Sequence, residues 1–251
     1  MKRFALIGHP LAGSLSPALF SAAYDGRYAY DLLDEPRFED AWMAFLNGYK
    51  GINVTAPFKQ DAFAAVDWLS EDARLCGAVN LVVRSRGILK GYNTDVDGVV
   101  GALSDIPGLT GNLPEALIVG TGGAARAAAR GAQKLGCRVT VTGRNTAALA
   151  ELAERFHCDT VLLDDIVILS ASVESHPSLV IYTLPSSAPV PAGLPLKDAV
   201  VLEAEYKHPS LDQVQCRQYI GGRQWLLHQA IAGYRLFTGE EPSAEKMSTV
   251  L

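Results

Sequence analysis

Three short polar segments interrupt the apolar rhythm of the first part of the chain, and their side chains are of the kinds that bind and deprotonate alcohols. Ser14-Leu15-Ser16-Pro17 sets two hydroxyls at the entry to a helix, where they and free backbone N–H groups can receive a carboxylate. Ser16 also fits as an ordinary N-cap, with Pro17 at the first helical position. Asn53-Val54-Thr55-Ala56-Pro57-Phe58-Lys59 crowds an amide, a hydroxyl and an amine onto the end of an apolar strand, where α/β sheets bind their ligands. Standing alone, Lys59 would be a solvated surface charge. Gly91-Tyr92-Asn93-Thr94-Asp95 closes a hairpin and opens the next unit, and Asp95 alone would read as a helix cap. Taken together, an amine and a carboxylate among hydroxyls and amides can manage the proton of an alcohol.

A fourth segment supplies a place for a nucleotide. Gly120-Thr121-Gly122-Gly123-Ala124-Ala125 follows a short apolar strand and opens a helix. Glycines at Gly120, Gly122 and Gly123 let the backbone turn tightly and approach a pyrophosphate, and the helix N-terminus from Ala124 offers N–H groups and a positive dipole end. A plain strand-to-helix turn would also use glycine. The next strand ends in Thr142-Gly143-Arg144-Asn145, with no acid to accept hydrogen bonds from a ribose 2′-hydroxyl. The guanidinium of Arg144 instead matches a 2′-phosphate, so the cofactor expected is NADP, with Asn145 beside it.

The elements that must hold these segments alternate. Strands are expected at Phe4–Ile7, Tyr28–Leu33 and Gly51–Val54, helices at Pro17–Tyr24, Arg37–Leu46 and Lys59–Val66, and a hairpin pairs Ala78–Val83 with Ile88–Tyr92. A helix at Gly98–Leu103 and a Pro/Gly-rich surface connection from Ser104 to Pro114 lead into a second series. There the strands are Ala116–Val119, Val139–Thr142, Val161–Leu163, Leu179–Thr183 and Val200–Glu203, with helices at Ala124–Leu135 and Ala147–Phe156. This β-α-β rhythm belongs to a parallel sheet. A last helix spans Gly222–Phe237. The fold class is α/β, in two domains.

Composition narrows the function classes. The 251 residues are 49% hydrophobic and 20% charged, enough for a packed core. A net charge of −5 argues against nucleic acid as a partner, which requires a basic face. No uncharged apolar run approaches the roughly 18 residues that cross a bilayer, and no signal segment precedes Phe4, so the expectation is a cytoplasmic protein without a membrane partner. Cys76, Cys137, Cys158 and Cys216 form no C-x-x-C pair, and His9, His157, His176, His208 and His228 show no ligand spacing, so no metal is expected. The oligomeric state is not legible, and a homodimer is compatible with the sequence.

The combined motifs resemble those of the shikimate dehydrogenase family. Ser-Leu-Ser-Pro, Asn-Val-Thr-x-Pro-Phe-Lys, Gly-Ala-Val-Asn, Gly-x-Asn-Thr-Asp and Gly-x-Gly-Gly-Ala occur in the family's order and spacing from about Ile7 to Phe237. The resemblance implies a discontinuous substrate domain, residues 1–94 plus 222–251, and a Rossmann-type NADP domain, residues 95–221. It implies that Ser14 and Ser16 hold a substrate carboxylate, that Thr55, Asn80 and Asn93 bind ring hydroxyls, and that Gln229 closes over the ring. Tyr206 would join the substrate contacts, and Lys59 and Asp95 would be the catalytic pair. A hinge is implied near Thr94–Asp97 and Gly221–Gly222. The implied reaction is the reversible NADPH-dependent reduction of 3-dehydroshikimate to shikimate. The alternatives are a paralogue acting on quinate, a non-catalytic nucleotide-binding relative, and a two-domain dehydrogenase acting on a folate.

The second half departs from the family's pattern. Tyr182-Thr183-Leu184-Pro185-Ser186-Ser187 stands where Asn-x-Thr-Pro-x-Gly-Met is common, and Tyr206-Lys207-His208-Pro209 where Tyr-Asn-Pro is common. Leu81 replaces the usual Thr, Gly143 precedes Arg144, and Ala148 sits near where a second arginine often lies.

Overall fold

The computed structural model describes residues 2–109, 114–166 and 177–251; residues 110–113 of the expected surface connection, and His176, lie outside them. The chain divides into two compact units, Met1–Thr94 with Leu227–Leu251, and Asp95–Leu226.

The first unit is built on a six-stranded mixed sheet. Its strands are β1 (Arg3–Gly8), β2 (Ala29–Asp34), β3 (Gly51–Val54), β4 (Trp68–Leu69), β5 (Leu81–Ser85) and β6 (Ile88–Tyr92), in the order β2-β1-β3-β5-β6-β4. β1 pairs in parallel with β2 and β3, whereas β5 runs antiparallel to both β3 and β6. Helices α1 (Ser16–Ala23), α2 (Phe38–Leu46), α3 (Lys59–Ala65) and α4 (Glu71–Cys76) connect the strands. The run Phe4-Ala5-Leu6-Ile7 of β1 is buried on both faces, as a central strand of an α/β sheet requires.

The second unit is a six-stranded, wholly parallel sheet. After α5 (Asp95–Leu103) come β7 (Glu115–Val119), α6 (Gly123–Lys134), β8 (Arg138–Gly143), α7 (Thr146–Phe156), β9 (Asp159–Leu162), a 3₁₀ turn at Leu163–Asp165, β10 (Leu179–Tyr182), β11 (Val200–Glu203) and β12 (Gln218–Ile220). The strand order β12-β11-β10-β7-β8-β9 starts in the middle and winds outward both ways, the doubly wound arrangement with its switch point between β7 and β10. The Ala-rich helix α6 presents small side chains to α5: a Cβ on Gly131 would stand 2.6 Å from the Val99 side chain. A mid-helix glycine costs about 1 kcal/mol relative to alanine, and here it admits the close approach of α5, the helix that begins at Asp95.

Helix α8 (Gly222–Thr238) starts in the second unit and contributes most of its length to the first, followed by the short α9 (Ala244–Ser248). Phe237 of α8 stacks on Phe4 at 4.9 Å between ring centroids, and Tyr234 meets Phe20 edge-on at 4.8 Å. Phe237 also lies on the backbone of β3, where a Cβ on Gly51 would come within 2.7 Å of the ring. A buried phenylalanine of this kind stabilises by about 1.5–3 kcal/mol, so the end of the chain is part of the first unit's core.

Several boundaries differ from the sequence reading. Helix α5 starts at Asp95 rather than Gly98, and β5 at Leu81 rather than Ala78. Four elements have no counterpart in that reading: β4, α4, β12 and α9. Among the described residues no helix is long and apolar enough to cross a membrane.

Candidate active site

In the first unit the sheet order brings three polar segments together at one end of the central strands. β1 and β3 are parallel and end together, so Thr55 follows β3 beside the end of β1, its N–H donating to the carbonyl of Ile7 at 2.9 Å. The contact is close enough that a Cβ on Gly8 would meet the Thr55 methyl at 2.4 Å. Because β5 is antiparallel to β3, its start lies at this same end of the strands, and the Val54 N–H donates to the Asn80 carbonyl at 2.7 Å. Asn80 in turn donates its N–H to the Tyr92 carbonyl at 3.0 Å, which brings the end of β6, and with it Asn93, alongside. Lys59 opens α3, and its carbonyl accepts from the Val79 N–H at 3.0 Å, fixing the helix start next to Asn80.

The amides here are held by their neighbours. Asn80 Oδ1 accepts the Thr94 N–H at 2.8 Å while Asn80 Nδ2 reaches the Thr94 hydroxyl at 3.2 Å. Thr94 Oγ1 also lies 3.4 Å from Gln229 Oε1, so Gln229 of α8 sits at this cluster. Asn93 Nδ2 donates to the Ala78 carbonyl at 3.0 Å, but its Oδ1 is buried with no hydrogen-bond partner. A buried acceptor left this way costs about 1–3 kcal/mol, which a hydroxyl donor from a ligand would recover.

Ser14 and Ser16 are half-buried, Ser14 just before α1 and Ser16 at its start. Ser16 is not the N-cap the sequence suggested. Leu15 already adopts helical angles, so the helix begins at Ser16, and the Ser16 N–H points to Ser14 Oγ at 3.3 Å. Two phenols brace the region: Tyr234 donates to the Ser16 carbonyl at 3.1 Å, and Tyr30 donates to Asn53 Oδ1 at 2.7 Å. Burial drives both hydroxyls well above the usual phenol range, so they remain donors.

In the second unit, Gly120–Gly123 lies at the switch point. Gly120 has φ +124°, and a Cβ there would collide with Thr183 Oγ1 at 2.3 Å, so only glycine passes between β7 and the end of β10. The Thr183 hydroxyl donates to the Val119 carbonyl at 2.8 Å, holding this crossing in place. Gly122 and Gly123 are exposed, and a Cβ on either would meet nothing within 4 Å. Ala124 follows in the first turn of α6, which carries no acidic residue. An exposed, acid-free helix N-terminus with bare backbone suits a pyrophosphate. Arg144 and Asn145 are exposed just past β8, and Asn145 Oδ1 caps α7 by accepting from the Ala148 N–H at 3.1 Å. The donor set therefore fits NADP, with Arg144 available to a 2′-phosphate.

Asp95 is the first residue of α5, and its carbonyl accepts from the Trp225 indole N–H at 2.9 Å. Tyr206 lies half-buried in the loop after β11, with its phenol raised by burial and by Glu205. Lys59 belongs to the first unit, and Asp95 and Tyr206 to the second.

The family model describing a shikimate dehydrogenase substrate-binding domain matches residues 6–82. A shikimate dehydrogenase (NADP(+)) of Halobacterium salinarum is 36% identical, covering 100% of this chain and 98% of its own. The chain belongs to the shikimate dehydrogenase family. Among solved family structures, shikimate 5-dehydrogenase of Thermus thermophilus, in complex with NADP(H) and shikimate, superposes with a TM-score of 0.84 at 30% identity, covering 100% of this chain and 98% of that one. A quinate dehydrogenase of Corynebacterium glutamicum in complex with NAD gives 0.84 at 27% identity, over 99% and 98% of the two chains.

Other side chains brace these polar residues. Thr94 ties Asn80 to Gln229, Tyr30 orients Asn53, and Trp225 holds the Asp95 carbonyl. In the sequence Thr94 stands out only as part of a motif, and nothing in the local pattern marks Tyr30 or Trp225 as more than core aromatics.

Proposed function

We propose that this chain is an NADP-dependent shikimate dehydrogenase, an oxidoreductase that reversibly reduces 3-dehydroshikimate to shikimate in the cytoplasm, within aromatic amino acid and chorismate biosynthesis. NADPH supplies the hydride when bound. Gly120, Gly122, Gly123 and Ala124 receive its pyrophosphate, and Arg144 with Asn145 its 2′-phosphate. The observation that carries the reading is the gathering of Thr55, Lys59, Asn80 and Asn93 at one end of the first unit's central strands, with the unpaired Asn93 Oδ1 among them.

The residues divide the work by chemistry. Ser14 and Ser16 hold the substrate carboxylate through their hydroxyls, with Tyr234 bracing the Ser16 backbone. Asn93 Oδ1 accepts from a ring hydroxyl, and Thr55 and Asn80 take others. The Lys59 amine removes the alcohol proton in oxidation and returns it to the forming alkoxide in reduction. The Asp95 carboxylate orients that amine and shares the hydroxyl's hydrogen bonds. Gln229, held at Thr94, covers the ring, and Tyr206 contributes a further contact. The four cysteines are all free thiols, in keeping with a reducing compartment.

The deciding experiment follows absorbance at about 340 nm, the reduced-nicotinamide band, with shikimate and quinate each offered NADP and NAD. Shikimate with NADP is expected to give the highest kcat/KM. Comparable turnover of quinate would make the chain a quinate-acting paralogue, and no turnover of either would leave a nucleotide-binding relative without catalysis.

A further inference from the structure

One charged side chain in the second unit is fully buried and far from the glycine turn in sequence. Glu203 closes β11 and has no exposed surface. In register with Tyr182 on β10, it faces the apolar layer that includes Val180, Val201 and Leu211. A carboxylate in such a layer is costly unless donors surround it. Glu203 has three: the Ser210 N–H at 2.6 Å, the Leu211 N–H at 3.1 Å and the Tyr219 hydroxyl at 2.7 Å. Both of its oxygens are used.

The three donors say what the charge is for. Two come from the middle of the loop that leaves β11 directly after Glu203, and the third from neighbouring β12. The near end of the loop is fixed as well, since the Ala204 N–H donates to the Tyr182 carbonyl at 2.9 Å. Gly222 packs on this end so closely that a Cβ would meet the Ala204 carbonyl at 2.5 Å. Inside the loop, Glu205 accepts the Lys207 N–H at 2.7 Å. Tyr206 stands between these two fixed points, Ala204 and Ser210. An apolar residue at position 203 would fill the layer equally well but would release Ser210 and Leu211.

We propose that Glu203 is a positioning residue for substrate binding: it holds Ser210 and Leu211 in the loop after β11, so that Tyr206, between them and the Ala204 contact, is presented in one conformation. The inference rests on the reading of Tyr206 as a substrate contact. It assigns to Glu203 and Tyr219 an effect on shikimate affinity that travels through Tyr206.

The test is a double-mutant comparison on the full chain. Tyr206→Phe, Tyr219→Phe, Glu203→Gln and the doubles Tyr206→Phe/Tyr219→Phe and Tyr206→Phe/Glu203→Gln are assayed for kcat and for KM of shikimate and of NADP. Tyr219→Phe is the mild variant, removing one donor from the carboxylate, and it carries the test if Glu203→Gln does not fold. Each single variant is expected to raise the shikimate KM roughly tenfold with little change in the NADP KM, and each double to match Tyr206→Phe alone. Full multiplication of the effects in the doubles would remove the inference and leave the role of Tyr206 standing. A folded Tyr219→Phe with the wild-type shikimate KM would likewise overturn it. Wild-type kinetics for Tyr206→Phe would remove both the substrate contact and the clamp that depends on it.

Discussion

The indole N–H of Trp225 donates to the backbone carbonyl of Asp95 at 2.9 Å, so the first turn of α8 grips the first residue of α5. One turn further along the same helix, Gln229 lies against Thr94, the preceding residue. Two side chains of α8 thus hold two consecutive residues of the Asn93-Thr94-Asp95 motif, each within its own unit.

Loosening the first of these contacts should be felt in turnover. Trp225→Phe keeps an aromatic ring but removes the N–H. Misplacing a reacting group by about an ångström can cost up to about 100-fold, and loss of one neutral hydrogen bond should allow part of that. The expected result is a kcat lower by roughly tenfold with an equal fall in kcat/KM. Steady-state kinetics beside thermal unfolding checks it: a lower Tm with unchanged kcat would reduce Trp225 to packing.

Lys59→Ala should lower turnover by about 10²–10⁴-fold, the usual worth of a positioned acid or base. Shikimate binding, measured by calorimetry, should change little. Unchanged turnover would take Lys59 out of the mechanism.

Arg144 is exposed just past β8, with its side chain open to solvent. A charge-assisted hydrogen bond is worth about 1.5–3 kcal/mol, so Arg144→Ala should raise the KM for NADP roughly 10- to 100-fold while NAD is nearly unaffected. Equal losses for the two cofactors would show that Arg144 does not read the 2′-phosphate.

Acid stability should depend on Glu240. Its carboxyl is held below the usual range by the Tyr28 phenol and then by the Arg27 guanidinium, which lies 2.7 Å away. A carboxylate whose value is lowered on folding stabilises the protein above its ordinary value and loses that contribution as pH falls through the lowered one. The Tm difference between wild type and Glu240→Gln should therefore be steady near neutrality and should close on acidification below about pH 4. A difference that persists unchanged into acid would assign the effect to packing.

Much of this architecture is legible from periodicity and punctuation. The strands Gly51–Val54 and Val200–Glu203 are short, largely apolar runs, and both are found with those bounds. The glycine turn at Gly120–Gly123 is recognisable because it sits between a strand and a helix. Helix α4 escapes a periodicity reading because its six residues span less than two turns, although Ser70 caps it and Gly77 ends it in a left-handed conformation. The start of α5 escapes it because Asp95-Val96-Asp97-Gly98 has poor helix formers, and packing of Val96 and Val99 decides instead. The roles of Tyr30, Glu203 and Trp225 depend on partners distant in sequence, which no local pattern announces.

The interrupted build of the first unit also orders events during synthesis. Its core requires Tyr234 and Phe237, which emerge from the ribosome only after the whole of Asp95–Leu226. The inserted nucleotide fold can therefore mature while the earlier-made segment still waits for its final helix. Translation halted just after Leu226 would leave a complete interior unit behind an opening segment that lacks its closing helix.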